Sequence, residues 1–246
     1  MKAFLVYCGD NNEKRGVFMG RMRGQMSESL LLGALLAVAG GFFDAYTYIC
    51  RGGVFANAQT GNIVLLGLGL AEREWQHAMT YLLPVLAFAL GVVAAEAVKR
   101  WRRGQESGMH WRQIIVLAEV LLIAVAAFLP QRLNLAVNVL ISLVCAMQVE
   151  AFRKIRGSAF ATTMCTGNLR SGVEQLVIWR QTGDRGAARK ARHYCAVILF
   201  LQYWGDALGA LCTDMLGERA LLLTCVPLLA VFAFMFVPEE FKRETK

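Results

Sequence analysis

The chain has 246 residues, 57% of them hydrophobic and 18% charged, so its apolar content exceeds the roughly 45–50% of soluble domains. Its charges gather between long apolar stretches, which excludes a water-soluble globular fold and points to an all-α membrane domain. The formal net charge of +8 then reads as loops facing anionic lipid, not as a nucleic-acid surface.

Residues 1–26 have neither a long apolar core nor a small-residue cleavage site, and are expected to form a cytoplasmic tail. Six stretches follow that suit membrane-spanning helices: about 29–49, 79–98, 113–130, 135–152, 194–216 and 220–237, each near the ~20 residues a crossing needs. Two further segments are too short or too charged to span. Gly61–Ala71 is apolar but brief, and Gly167–Arg180 carries Arg170 and Glu174; both are expected to be re-entrant or interfacial half-helices. Residues 238–246 form a second tail.

The basic residues orient this scheme. Of 26 Lys and Arg, 22 fall in the two tails and the 99–112 and 153–193 loops; Arg51, Arg73, Arg132 and Arg219 alone lie on the other side. Basic loops stay cytoplasmic, so both termini are expected in the cytoplasm of a bacterial inner-membrane protein.

The two short segments repeat one another. Thr60-Gly61-Asn62 returns as Thr166-Gly167-Asn168, 106 residues later, and at the same offset Asp44 falls on Glu150. Further on, ALGVVAAEA resembles ALGALCTDM, which aligns Gly91 with Gly209 and Glu96 with Asp214. Two membrane repeats, 27–130 and 131–237, follow, each built as span, TGN half-helix, span, span. An odd number of crossings per repeat inverts the second relative to the first.

The blocks GGFFDAYTYICRGGVFANAQTGNIVLLG (Gly40 to Gly67) and AFATTMCTGNL (Ala159 to Leu169), with the ALGA of the fifth span, resemble the YoaK-like family of bacterial integral-membrane proteins. The resemblance runs from about residue 29 to 237. It implies a helical membrane domain and no established substrate.

The TGN residues have a physical use: Thr60 and Thr166 are suited to N-cap the half-helices, and glycine allows close backbone approach. Paired half-helix N-termini are where inverted-repeat transporters hold solute, which makes Thr60, Gly61, Asn62, Thr166, Gly167 and Asn168 candidate binding residues. The plainer alternative is that they cap and pack buried hairpins. Asp44 is a candidate because a carboxylate within an apolar span is expensive unless it faces a cavity or a partner; its alternative is an ion pair with Arg51. Gln148 and Glu150 are candidates by repeat position, although Arg153, Lys154 and Arg156 close by offer Glu150 ordinary ion pairs. Gln202 and Asp206, four apart, share a helix face. Glu119 suits either function or hydrogen bonding between helices. The Gly and Ala stripes of spans one, two and five suit close packing.

Seven cysteines without a CxxC pair and three scattered histidines give no expectation of disulfide, metal or cofactor. The expected function is a secondary transporter or permease for a small polar or anionic solute. The rivals are a channel, a membrane-embedded enzyme, for which no HExxH or GxSxG motif speaks, and a non-transporting sensor or scaffold. The expected partners are the lipid bilayer and a small-molecule solute, with no nucleic acid; homo-oligomer formation stays open.

Overall fold

A computed structural model describes residues 30–103, 109–155, 158–159, 165–196 and 203–236. The two tails and Gln202 lie outside the described residues. Helix α1, Leu30–Cys50, is an apolar run with no proline. It ends where Gly52 and Gly53 take φ of 90° and 76°, and Gly53 N–H returns to Tyr48 O at 3.0 Å, a glycine-based helix stop. Helix α2, Gln59–Ala71, is the first short segment. Arg73, with φ of 62°, turns the chain into α3, Trp75–Trp101, which carries a buried Pro84.

Helix α4, Trp111–Ala127, starts at a capping box in which His110 accepts from the Arg112 N–H and Gln113 reaches back to the His110 N–H. It has 17 residues and stops before Pro130, short of the expected 113–130. Helix α5, Asn134–Ala151, leads to a two-residue antiparallel ladder, Lys154–Ile155 with Ser158–Ala159. Helix α6, Cys165–Thr182, is the second short segment. After Gly183, with φ of 69°, the basic amphipathic α7, Arg185–Cys195, begins at an Asp184 cap that accepts from Gly186 and Ala187. Helix α8, Tyr203–Leu216, ends at Gly217, with φ of 57°. A 3₁₀ stretch, Gly217–Thr224, then leads into α9, Cys225–Phe234.

Four helical runs among the described residues are long and apolar enough to cross a bilayer: Leu31–Cys50, Trp75–Trp101, Gln131–Ala151 and Tyr203–Phe234. Apart from that two-residue ladder this is a helical, multi-pass membrane protein, with α2 as a shorter apolar helix.

The most extensive helix pairings join α3 to α5 and α1 to α8. Both depend on glycine. A Cβ on Gly91 would lie 2.5 Å from Leu143 O and 2.7 Å from the Ala146 Cβ. A Cβ on Gly209 would lie 2.9 Å from the Phe42 Cα and 3.0 Å from the Ala45 Cβ, and one on Gly205 would lie 2.5 Å from Val38 O. These contacts let backbones approach closely where lipid supplies no hydrophobic drive for helix association. The core lies between α1, α4, α5 and α9 and includes Leu36, Phe43, Ile115, Ile141 and Leu228.

Candidate functional site

The eight residues between α1 and α2 are held by side chains at known sequence positions. Thr47 Oγ1 donates to Phe43 O at 2.8 Å and accepts the Ala56 N–H at 3.2 Å. Asp44 Oδ1 accepts the N–H groups of Asn57 at 2.8 Å and Ala58 at 3.1 Å. Asn62 closes the loop from the other side. Its Oδ1 accepts the Phe55 N–H at 3.0 Å, and its Nδ2 donates to Phe55 O at 2.5 Å and Gln59 Oε1 at 2.9 Å.

This corrects the expected cap. Thr60 lies inside α2, whose first flanking residue, Ala58, has no side-chain cap; the carboxylate of Asp44, on α1, instead holds the two loop amides just before the helix, those of Asn57 and Ala58. Thr166 likewise lies inside α6. Gly61 is required by the tight turn, because a Cβ there would lie 2.7 Å from the Phe55 ring.

The alternative pairing of Asp44 with Arg51 is also corrected. Arg51, 1% exposed, donates from Nε to Tyr46 Oη at 2.9 Å and from Nη1 to Asn134 Oδ1 at 3.2 Å, and its Nη1 lies 4.0 Å from Glu218 Oε1. Tyr46 Oη in turn donates to Glu218 O at 3.0 Å. A cation this deeply placed is retained only when partnered, and this network supplies the partners. Asp44 is left free to face elsewhere.

It faces a cavity of ≈ 570 Å³, within the range of small-molecule pockets. Asp44 and Asp206 contribute its carboxylates, and the two lie within electrostatic range of each other. The first TGN segment contributes Ala58, Gln59 and Thr60; the second contributes Cys165, Thr166 and Gly167. Tyr48, Phe55 and Phe88 form aromatic wall, the first two stacked at 4.8 Å between ring centroids.

Several candidates lie elsewhere. Asn62 is spent on the loop clamp, and Asn168 is buried. Gln148, fully buried, donates from Nε2 to Leu36 O at 3.0 Å, so it ties α5 to α1 and does not line the cavity. Glu150 pairs with Arg153 at 3.1 Å, the ordinary alternative. The repeat position that links it to Asp44 therefore does not bring it to the same place. Glu119, for which function and hydrogen bonding between helices were equally open, has no hydrogen-bond partner on either oxygen among the described residues. Cys165 and the aromatic wall were not singled out from the sequence; the aromatic spacing in AYTYICRGGVF resembles any apolar helix end and gave no signal.

No group of His, Cys, Asp and Glu among the described residues has the arrangement of a metal site. No solved structure matches this chain. Over 149 residues the chain is 26% identical to the UPF0700 transmembrane protein YoaK of Bacillus subtilis (strain 168), a match that covers 58% of this chain and 65% of that relative's own length. A family described as a protein of unknown function, DUF1275, matches residues 32–234, and the chain belongs to that family.

Proposed function

We propose that this protein is an inner-membrane secondary transporter or permease whose substrate is a small polar solute, bound in the cavity between the two TGN segments. The observation that carries the reading is that one cavity is lined by both TGN segments and by Asp44 and Asp206. Solute sites between broken helices of two repeats are the pattern of inverted-repeat transporters. Six crossings with cytoplasmic termini, in two inverted halves, fit the distribution of basic residues. They also fit the way aligned Gly91 and Gly209 seat α3 on α5 and α8 on α1.

The cavity chemistry favours a neutral or amine-bearing solute over an anion. An anion would seek free backbone N–H groups, but those of Asn57 and Ala58, just before α2, already go to Asp44, and that of Gly61 goes to Ala58 O. Two carboxylates and the faces of Tyr48, Phe55 and Phe88 suit a cation instead.

Cys165 tests this directly, since it is exposed and lines the cavity. In a variant that retains only this cysteine, its alkylation by a maleimide is measured against pools of amine-bearing, neutral and anionic metabolites. Protection by one pool, followed by uptake of that solute into proteoliposomes, is the expected result. Equal alkylation with every pool, and no uptake, would sink the proposal.

A further inference from the structure

One carboxyl in the core of the molecule is not used by the cavity. Glu119, on α4, is 0% exposed, and neither Oε1 nor Oε2 has a hydrogen-bond partner. It shares a helix face with Ile115, Val116 and Ile123, all within the buried core. Helices α3, α5, α9 and the 3₁₀ stretch pack against α4, and among the described residues none of them supplies Glu119 with a counter-charge. The 3₁₀ stretch offers Glu218, which faces Arg51, and the exposed Arg219. Glu96 and Lys99 of α3 pair with each other at 2.6 Å, and α9 contributes the thiol of Cys225. From α5, the fully buried Cys145 lies within electrostatic range of Glu119, and also of Asp44.

An ionised carboxylate without partner or water is among the costliest groups to bury, and an apolar side chain of similar volume would pack there without that cost. No bond made by Glu119 offsets its burial. What it can do, and its neighbours Ile115, Val116 and Ile123 cannot, is take up and release a proton. Bilayer-buried acids serve as proton relays for this reason.

We infer that Glu119 is a proton-binding site, holding its proton while α4, α5 and α9 are packed as described and releasing it when that packing opens to water. The step is a single proton transfer: a proton adds to one carboxylate oxygen to give the neutral acid and later leaves to water. No electron moves and no other bond changes. Asp44, at the cavity, and Glu119 both lie within electrostatic range of Cys145, so the proton is the coupling ion for the transport proposed above. That last clause rests on the transport reading, whereas the proton site itself does not.

Infrared difference spectroscopy of the protein in lipid nanodiscs, carried from mildly acidic to alkaline buffer, tests it. The expected result is a carboxylic-acid C=O band that Glu119→Gln removes, that Glu119→Asp shifts, and that is lost on going alkaline while helicity is retained. The Asp variant keeps the test valid if the Gln variant does not fold. A spectrum with no band removed by Glu119→Gln would overturn the assignment. So would a Glu119 band unchanged at every pH at which the helices persist, because the group would then be a permanently neutral packing element. Solute protection of Cys165 with a fixed Glu119 band would leave transport standing and remove the proton site. A titrating band with no protecting solute would do the reverse.

Discussion

The carboxylate of Asp44 accepts the backbone N–H of Asn57 across 2.8 Å, so an acid inside one helix anchors the loop that leads into the next. Asp44→Ala should strand the Asn57 and Ala58 amides and lower stability by roughly 1–3 kcal/mol, the range for a buried donor left without its partner. Asp44→Asn keeps an oxygen acceptor while losing the charge, so it should fold nearly as well and yet abolish solute protection of Cys165. Thermal unfolding in detergent and the alkylation assay separate the two roles. Parent-like protection in Asp44→Asn would make Asp44 a loop anchor alone.

Asn62 and Thr60 should behave in opposite ways, although they are two residues apart. Asn62→Ala leaves the N–H and C=O of Phe55 without their partner and should cost about 1–3 kcal/mol in the same unfolding measurement. Thr60→Ala removes an exposed side chain that caps nothing and should change stability by less than about 0.5 kcal/mol. A larger loss from Thr60→Ala would show that the threonine, not Asp44, holds the α2 terminus.

Glycine contacts set the spacing of the two main helix pairs. Gly91→Ala and Gly205→Ala would each place a methyl 2.5 Å from a facing carbonyl oxygen, and should destabilise by roughly 1–3 kcal/mol through overpacking. Gly67→Ala, where nothing lies within 4 Å, should instead stabilise α2 by about 0.5–1 kcal/mol. Equal melting temperatures for all three variants would show that α1·α8 and α3·α5 can separate freely.

Topology follows from charge and is checked by labelling. In a background lacking native cysteines, a cysteine replacing Arg132 should react with an impermeant maleimide in intact cells. Cysteines replacing Arg103 or Arg185 should react only after the membrane is opened. The expectation rests on 22 of 26 basic residues lying to one side. Labelling of Arg103 and Arg132 positions from the same side would end the six-span reading.

His110 gives the membrane end of α4 a pH dependence. Burial, aided by Arg112 and Arg102, lowers its pKa from the ordinary histidine value, and its neutral Nδ1 accepts the Arg112 N–H at 3.3 Å. The folded state therefore binds fewer protons than the unfolded one, so stability rises with pH through this window. The contribution is complete above about 6.5, the unfolded value, and fades as pH falls toward the lowered folded value. His110→Asn keeps a capping oxygen without the titration. The fall in melting temperature on mild acidification should be smaller in that variant, and an identical fall would assign it to another group.

Apolar helix-forming runs were legible in the sequence because each lives on short-range physics. A run such as LLLGALLAVAGGFFDAYTYIC forms one helix wherever water is absent, since its backbone has no other partner. Gly52, Gly53 and Gly217 mark stops that only a residue tolerant of positive φ can make. The repeated TGN tripeptides were equally visible, and each lies in the first turn of a helix, one of 13 residues and one of 18. The tripeptide could not show which of its residues would face the cavity. Thr60 reaches it from inside the helix, while Asn62 turns back to clamp Phe55.

Tertiary structure alone decided which distant groups meet. Asp44 and Glu150 stand at equal distances before the two TGN tripeptides, yet one lines a cavity and the other pairs with Arg153. Arg51, seven residues from Asp44, turns to Tyr46, Asn134 and Glu218. Asp206 comes from 162 positions further along the chain to share the cavity with Asp44. The physical reason is that sequence spacing fixes neighbours within about one helical turn. Which faces come together is set by where glycines let backbones approach, and by the need of each buried charge for a partner that the local chain does not contain.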